Sequence, residues 1–250
     1  MGRQGRRQLE RARDRARVHV HLLGRQVRQL RPQAPHLLTH ERRLITLLDA
    51  EADLAKILRG HGYREQTSGP FFIHLRRGLD DLPQPGVPDG YTLRHLRGES
   101  DAAARARVHR AAFSLPNLPP SKVTPDSYLQ VMRAQPYRLE LDWLVEAPDG
   151  TPVAFCLAWL DEHNRVAALE PVGTDPGHRR LGLATAATLA ALHAARRLGA
   201  ASARVCARGD DDYPAARATY QAMGFHRYAR NVSFVRDHSI QATPTTLTGT

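Results

Sequence analysis

The stretch from residue 169 to residue 185, LEPVGTDPGHRRLGLAT, combines residue types that could bind a charged ligand. A strand pattern runs into the turn Asp175-Pro176-Gly177, and a basic, glycine-bearing turn then opens a long helical pattern. A helix N terminus presents unpaired backbone N–H groups and the positive end of the helix dipole, which suits a phosphate or pyrophosphate. Gly182 removes a Cβ where such a ligand would approach the backbone.

This turn matches neither of two common phosphate-binding motifs. The sequence lacks the G-x-x-x-x-G-K-(S/T) pattern of a Walker loop and the G-x-G-x-x-G pattern of dinucleotide-binding folds. Taken alone, the turn is also compatible with the glycine-containing start of an ordinary helix. Its surroundings therefore have to decide between a ligand site and a structural turn.

Cysteine and histidine form no recognisable site in the sequence pattern. Cys156 and Cys206 are too few for a disulfide framework or a cysteine zinc site. Both lie in apolar strand patterns, so we expect inert core residues rather than nucleophiles. The histidines near the N terminus have no carboxylate or cysteine that completes a ligand set, and we therefore expect no bound metal.

Strand and helix patterns follow each other regularly from residue 91 onward. Their order is strand, two helices, three strands, helix, strand, helix and two strands, which predicts an α/β or α+β fold with one mixed sheet. Thr124 is the expected N-cap of the second helix. The long helix should cover residues 179–198 and end at Gly199. The last helix, residues 214–223, is followed by two short strands, FHRYA and VSFVR.

The rest of the chain divides by composition. Helical spacing of apolar residues from Ile45 to Leu58, followed by two short extended runs, predicts a helix and a hairpin. This unit is too small to bury its own apolar face, so we expect it to dock on another part of the chain or on a second chain. The predicted organisation is a basic, flexible arm at 1–41, a helix-hairpin at 42–80, a linker at 81–90, a main domain at 91–236 and a disordered tail at 237–250.

The net charge of +11 belongs mainly to one end of the chain. Residues 1–43 hold 12 arginines and three acidic residues, whereas the remaining chain is close to neutral. The arm has no interleaved aromatic residues and no recognised motif, which disfavours nucleic-acid binding. The sequence also lacks 18 consecutive uncharged apolar residues, and the arm lacks the apolar core of a secretory signal. We therefore expect a cytoplasmic protein without a membrane partner.

The glycine-bearing turn and the last helix together resemble the GNAT superfamily of acyl-CoA-dependent N-acetyltransferases. Arg179, Gly182 and Ala184 match the family's phosphate-binding signature, (Q/R)-x-x-G-x-(G/A). A strand ending in T-D-P precedes the signature, and the family pattern A-x-x-x-Y-x-x-x-G-F follows at Ala216, Tyr220, Gly224 and Phe225. The resemblance covers residues 90–236 and implies a mixed, mostly antiparallel sheet flanked by helices.

Residues 42–79 are similar to the last quarter of such a domain, with LRGHGY in the place of YQAMGF. The chain thus resembles tandem GNAT proteins, of which mycothiol synthase is one type, with a first copy reduced to its final helix and hairpin. No counterpart of the R-x-x-G-x-A signature precedes residue 90 in a strand–turn–helix setting. Only the second half is therefore expected to bind a cofactor.

The resemblance implies transfer of an acetyl group from acetyl-CoA, without a metal, to the primary amine of a small molecule that attacks directly in a ternary complex. Glu170 would accept the amine's proton, directly or through water, and Tyr220 would protonate the leaving CoA thiolate. Backbone groups of Val172, Gly173 and Thr174 would pair with the pantetheine arm, and one of their N–H groups would polarise the thioester carbonyl. The pyrophosphate would be held by Arg179, Arg180, Leu181, Gly182, Leu183, Ala184 and Thr185.

Other roles for these residues stay open at this stage. Glu170 is also compatible with a strand carboxylate paired with an arginine, and Tyr220 with a buried core aromatic. Tyr213 stands where many family members have asparagine, and the first copy is shortened. Both features keep an alternative in view, a catalytically silent acyl-CoA-binding module that regulates or scaffolds. The acceptor pocket is expected around residues 113–122, and a homodimer is compatible with the sequence.

Overall fold

The computed structural model describes residues 40–114 and 120–239 of the chain. The chain divides into two compact units, residues 43–236 and residues 1–42 together with 237–250. The second unit is described only at the outer ends of two strands. The predicted arm and most of the predicted tail thus lie outside the described residues.

The described part of the chain forms nine strands and five α-helices. The strands are β1 (His40–Leu48), β2 (Arg64–Gln66), β3 (Phe72–Gly78), β4 (Thr92–His95), β5 (Asp142–Glu146), β6 (Pro152–Asp161), β7 (Val166–Thr174), β8 (Ser202–Arg208) and β9 (His226–Ser239). The helices are α1 (Ala52–Gly60), α2 (Ala102–Ala112), α3 (Pro125–Met132), α4 (Leu183–Arg197) and α5 (Ala215–Ala222). None of the described helices is long and apolar enough to cross a membrane.

The strands form one sheet in the order β1-β9-β3-β8-β7-β6-β5-β4, with β2 paired against β9. The strands β7 and β8 are parallel, and α4 connects them. The pairs β4–β5, β5–β6, β6–β7, β3–β8 and β3–β9 are antiparallel. The predicted fold class, a mixed and mostly antiparallel sheet flanked by helices, is therefore confirmed.

Strand β3 comes from the predicted helix-hairpin and lies inside the sheet, between β8 and β9. It pairs with β8 along its whole length, from Phe72 opposite Arg208 to Gly78 opposite Ser202. Residues 42–80 and 91–236 thus contribute to one continuous sheet. The boundaries that the sequence suggests between these segments stay a prediction.

The helix predicted at 45–58 is only half correct, since residues 45–48 belong to β1 and a turn at 49–50 separates this strand from Ala52. Strand β1 lies beside β9, where the Thr46 and Ser233 hydroxyls are 3.1 Å apart and the Asp49 N–H donates to a β9 carbonyl at 2.9 Å. The β-branched side chains in this run fit a strand better than a helix. Pairing with the sheet therefore overrides the apparent helical spacing.

One predicted hairpin and one predicted pair of separate strands are also wrong. The two extended runs after α1 do not pair with each other, because β2 pairs with β9 while β3 pairs with β8 and β9. The runs FHRYA and VSFVR form one continuous strand, β9, which extends to Ser239 and so beyond the start of the predicted tail at residue 237.

Several local predictions are correct. Thr124 is the N-cap of α3, and its hydroxyl accepts from the Ser127 N–H at 3.1 Å while the Ser127 hydroxyl accepts from the Thr124 N–H at 2.8 Å. Gly199 and Gly224, which follow α4 and α5, have φ angles of +99° and +83° that favour glycine. These signals are carried by neighbours in sequence, so the sequence alone suffices to find them.

Helices α2 and α3 are fixed to the sheet by a buried ion pair. Arg105 on α2 donates through Nε to Asp142 Oδ1 at 3.1 Å, and both side chains are fully buried. The Tyr128 and Tyr137 hydroxyls donate to the other oxygen of Asp142. The Arg105 guanidinium also lies 3.8 Å from the ring centroid of Phe155. This network holds α2, α3 and the Phe155 ring against the sheet.

Candidate active site

Strands β7 and β8 diverge after a short paired stretch. Their parallel pairing covers only Val166–Ala168 opposite Ser202–Arg204, although β7 continues to Thr174 and β8 to Arg208. Paired strands lie about 4.8 Å apart, so the loss of pairing marks a widening gap. The far halves of the two strands therefore frame an opening in the sheet.

A β-bulge lies at the start of this opening. Cys156 of β6 faces Val172, but Ala158 faces Leu169, so β7 has one additional residue between these positions. Bulges bend a strand and redirect its side chains. The indole N–H of Trp159 donates to the Glu170 carbonyl at 2.7 Å and ties the bulge to β6. The bulge thus places Glu170 where the two strands diverge.

The N–H groups of β7 alternate between its neighbour β6 and the opening. The Asp175 N–H donates to the Val153 carbonyl at 2.7 Å, and Thr174 lies opposite Ala154. Because bonding alternates along an antiparallel pair, the N–H groups of Val172 and Thr174 point away from β6. These two donors therefore face the opening.

Gly173 is required by close packing under β7. A Cβ built at Gly173 would lie 2.6 Å from Cζ of Phe155 and 2.8 Å from Cβ of Ala112, closer than real Cβ contacts. Sequence reasoning placed Gly173 in the segment beside the pantetheine arm but gave no reason for glycine there. The structure supplies one, because only glycine lets β7 lie this close to Phe155 and α2.

The predicted phosphate-binding residues form one loop and the first turn of α4. The helix begins at Leu183 rather than at residue 179, and its N-cap Gly182 has a φ angle of +74°. The first helical hydrogen bond runs from the Ala186 N–H to the Gly182 carbonyl at 2.9 Å. The N–H groups before Ala186 are therefore outside the helical bonding pattern. A Cβ at Gly182 would meet no atom within 4 Å, so the loop has open space above it.

Side chains around this loop attach it to the body of the protein. The Asp175 carboxylate accepts from the Gly177 N–H at 2.9 Å, and the Tyr91 hydroxyl lies 3.0 Å from His178 Nδ1. Arg179 donates to the Ala112 carbonyl at 3.2 Å and thus links the loop to the end of α2. The Arg179 guanidinium is therefore engaged with the protein, while the backbone of the next residues faces solvent.

Glu170 reaches solvent but is crowded by the surrounding protein. Desolvation raises its pKa above the ordinary value of 4.5, and no basic side chain contributes to the shift. Among the described residues Glu170 enters no ion pair, so the arginine-paired alternative is not what the structure contains. A carboxylate with a raised pKa is better matched to accepting a proton near neutral pH.

Tyr220 is buried on α5, with 7% of its surface exposed. Its ring contacts Phe225 edge to face at 5.9 Å. Burial raises the pKa of the Tyr220 hydroxyl strongly, and Cys156, Cys206 and Glu170 add to the shift. Tyr220 therefore keeps its proton at neutral pH and lies within electrostatic reach of Glu170.

Cys206 was expected in the core, and this prediction is wrong. Cys156 is buried, but Cys206 is exposed, with Sγ 3.3 Å from His74 Nδ1. His74 Nε2 in turn lies 2.5 Å from Asn231 Oδ1. The exposure of Cys206 follows from alternation along β8, where the residues on either side of it are buried. Its contact with His74 depends on the placement of β3 and has no signal in the sequence.

Some predicted features lie partly outside the described residues. Of the expected acceptor segment 113–122, the structure describes residues 113, 114 and 120–122. Within the described ranges, no group of three or more histidine, cysteine or acidic side chains is arranged to hold a metal ion.

Comparison with known proteins points to one family. The model of the acetyltransferase (GNAT) family matches residues 110–225. The mycothiol acetyltransferase of Thermomonospora curvata is 30% identical over 165 residues, which cover 65% of this chain and 54% of that protein. The mycothiol acetyltransferase of Rhodococcus erythropolis is 30% identical over 206 residues, covering 76% of this chain and 63% of that protein. The chain thus spans less than two thirds of the length of either relative.

A solved structure extends the comparison to the fold. The GCN5-related N-acetyltransferase of Sphaerobacter thermophilus superposes with a TM-score of 0.63 at 22% identity, over 82% of this chain and 62% of that chain. Its sheet and helices therefore share the architecture described above. With the family match over the signature turn and α5, residues 110–225 of this chain belong to the acetyltransferase (GNAT) family.

Proposed function

We propose that this protein transfers an acetyl group from acetyl-CoA to the primary amine of a small molecule, by direct attack within a ternary complex. The observation that carries the proposal is the divergence of β7 and β8 immediately before the free N terminus of α4. The curated relatives carry the name mycothiol acetyltransferase, and this name supports a small-molecule acceptor.

The loop before α4 fits the pyrophosphate of acetyl-CoA. The N–H groups from Arg180 to Thr185 are donors at the positive end of a helix dipole, where a phosphate is stabilised. Gly182 leaves open space above the loop. Arg179 and Arg180 add positive charge beside it. Because backbone groups supply most donors, the fit depends on the loop's conformation more than on any one side chain.

The opening between β7 and β8 fits the pantetheine arm. The N–H groups of Val172 and Thr174 face it, and amide groups of an extended ligand would satisfy them as a neighbouring strand does. One of these donors would stabilise the oxyanion that develops on the thioester carbonyl, which typically contributes roughly 10²–10³ in rate. Gly173 keeps the strand close to Phe155, so these donors stay directed into the opening.

Glu170 and Tyr220 have the properties that the two proton transfers need. The raised pKa of Glu170 makes its carboxylate a suitable acceptor for the proton of the attacking amine, directly or through water. The Tyr220 hydroxyl is protonated at neutral pH, so it has a proton to give when the CoA thiolate leaves. Each residue reaches its position through a different element, Glu170 through the bulge in β7 and Tyr220 through α5.

The Gly182→Asp variant tests the binding of acetyl-CoA. An aspartate at this position introduces a negative charge beside the proposed pyrophosphate site. Acetyl-CoA should raise the Tm of the parent through mass action and leave the Tm of the variant almost unchanged. Gly199→Asp is the matched control, because Gly199 also has a positive φ angle, +99°, and open space around it, but follows the opposite end of α4. An equal Tm shift in both variants would contradict the assignment.

Turnover separates the enzyme from a silent acyl-CoA-binding module. Screening primary amines with a free-thiol readout should find acceptors that release CoA from acetyl-CoA. Initial rates measured at varied concentrations of both substrates should give intersecting double-reciprocal lines, as a ternary complex requires. Binding of acetyl-CoA without turnover on any amine would favour the silent module instead.

A further inference from the structure

Three neighbouring strands place a thiol, an imidazole and an amide in line. Cys206 of β8 lies directly opposite His74 of β3, and Asn231 belongs to β9. The Sγ atom of Cys206 is 3.3 Å from Nδ1 of His74 and 4.0 Å from Nε2, so Nδ1 is the nearer nitrogen. The other nitrogen, Nε2, lies 2.5 Å from Asn231 Oδ1. The line exists because β3 is inserted between β8 and β9.

The hydrogen bonds fix which imidazole nitrogen carries the proton. An amide oxygen only accepts hydrogen bonds, so the Nε2–H of His74 donates to Asn231 Oδ1. In neutral histidine the other nitrogen is then unprotonated and acts as a hydrogen-bond acceptor. Nδ1 therefore accepts from the Sγ–H of Cys206. A thiol, a base and a group that orients the base form the arrangement that activates cysteine nucleophiles on other folds.

Cys206 is accessible, in contrast to the other thiol of the chain. Its side chain is exposed, whereas Cys156 is buried. Crowding by the surrounding protein and, to a lesser extent, the Glu170 carboxylate raise the pKa of the exposed Cys206 thiol to about 12, and burial raises that of Cys156 to about 12 as well. Both thiols are thus protonated at neutral pH. Cys206 can react only if a base takes its proton as the new bond forms, and His74 is in place to do so.

The cluster adjoins the opening between β7 and β8. Cys206 follows Arg204, the last residue of β8 that pairs with β7, by two positions and therefore shares its face of the sheet. The charge of Glu170 acts on the Cys206 thiol, and Cys206 in turn acts on the Tyr220 hydroxyl. The thiol thus lies within electrostatic reach of the two residues assigned to proton transfer.

We propose that Cys206, with His74 as its base and Asn231 orienting the imidazole, is an acyl-accepting thiol that takes the acetyl group of acetyl-CoA when no amine is bound. The proposal rests on the proposed function, because acetyl-CoA has to occupy the opening beside Cys206. It also gives the N-terminal segment a chemical role, since β3 supplies the base.

The step exchanges one thioester for another. Sγ of Cys206 bonds to the carbonyl carbon of the acetyl group as its proton passes to His74 Nδ1. The adduct then collapses by breaking the bond between that carbon and the CoA sulfur. The imidazolium returns the proton to the departing CoA thiolate. The products are S-acetyl-Cys206 and CoA, and no oxidant or reductant takes part.

Mass spectrometry of the full chain incubated with acetyl-CoA, without an amine, tests the proposal. One acetyl group should appear on Cys206 and be released by neutral hydroxylamine, as a thioester is. Cys206→Ala should stay unmodified. Cys156→Ala is the matched control, because it removes a thiol of similarly raised pKa that is buried, and it should be labelled as fast as the parent.

Variants of His74 and Asn231 test separately whether the imidazole acts as the base. His74→Gln keeps a polar side chain but removes the base, so labelling should slow by roughly 10²-fold or more. His74 is buried, and its replacement can disturb folding. Asn231→Ala is the second variant, because it keeps the imidazole and removes the acceptor that fixes its tautomer. Labelling of this variant should also slow, with an unchanged circular dichroism spectrum.

A second acetyl donor separates this proposal from the proposed function. If acetyl-CoA raises the Tm of the parent but Cys206 stays unmodified, the acyl-accepting thiol is refuted. Equal labelling rates in the parent, His74→Gln and Asn231→Ala would also refute it. A small acetyl thioester without the nucleotide serves as the parallel donor. Labelling of Cys206 by this donor that depends on His74, without any response to acetyl-CoA, would uphold the thiol site and reject the proposed function.

Discussion

Gly173→Ala adds one methyl group where the structure has no room for it. Its Cβ would lie 2.6 Å from Cζ of Phe155 and 2.8 Å from Cβ of Ala112. The Phe155 ring cannot easily move aside, because it is fully buried, lies 3.8 Å from the Arg105 guanidinium and stacks on His109 at 5.7 Å between ring centroids. We therefore expect β7 to shift rather than the ring.

The size of the effect follows from these contacts. Overpacking a well-packed core costs about 1–3 kcal/mol, and three contacts below 3.0 Å place this variant at about 2–3 kcal/mol. In a unit of this size, each kcal/mol lowers Tm by about 2–4 °C, so the expected loss is about 4–12 °C. A shifted β7 would also misdirect the N–H groups of Val172 and Thr174. The affinity for acetyl-CoA should therefore fall with the stability.

Thermal and urea unfolding, followed by circular dichroism, measures the stability, and titration calorimetry measures the affinity for acetyl-CoA. Phe155→Leu shortens the side chain that the new methyl meets and completes a double-mutant cycle. The double variant should be more stable than the sum of the single effects predicts, by about 0.5–3 kcal/mol. The reasoning is refuted if Gly173→Ala is as stable as the parent, or if the two effects are additive.

Two further predictions concern the proton-transfer residues. Tyr220→Phe keeps the packing against Phe225, so acetyl-CoA affinity should persist while single-turnover acetyl transfer slows by roughly 10²-fold. The control Tyr63→Phe removes a distant hydroxyl and should not slow the transfer. Equal rates in both variants would make Tyr220 a core aromatic only. The rate should fall as pH drops through the raised pKa of Glu170, and Glu170→Gln should lose this dependence together with most of the activity. The folded parent holds a desolvated carboxylate at neutral pH, so Glu170→Gln should have a higher Tm than the parent at neutral pH. This difference in Tm should vanish below the ordinary pKa of 4.5, where Glu170 is protonated in both the folded and the unfolded parent. A lower Tm of the variant at neutral pH would contradict the prediction.

The parts of the site that the sequence revealed are those built by neighbours along the chain. The loop before α4, its N-cap Gly182 and the capping box at Thr124 involve residues within a few positions of each other. Their physical causes, a left-handed φ angle or a side chain that bonds a nearby N–H, act locally. For this reason spacing alone located the loop, although it placed the start of the helix at residue 179 rather than at Leu183.

The parts that the sequence did not reveal depend on partners far away along the chain. Apolar residues around Ile45 fit a helix or a strand equally well, and the neighbouring β9 decides for a strand. The environment of Cys206 is set by His74, which is 132 positions away. The need for glycine at position 173 comes from Phe155 and Ala112. None of these relations leaves a periodic or compositional signal.

The insertion of β3 also explains how β7 and β8 can separate while each strand stays hydrogen-bonded to a neighbour. Beyond the point of divergence, β7 keeps its pairing with β6, where Val172–Thr174 lie opposite Ala154–Cys156. Strand β8 keeps its pairing with β3 up to Arg208. Each strand therefore has one bonded edge, and its other edge faces the opening. Without β3, the far half of β8 would have no bonded edge in the described sheet. The N-terminal segment thus supports one wall of the site and, through His74, supplies it with a base.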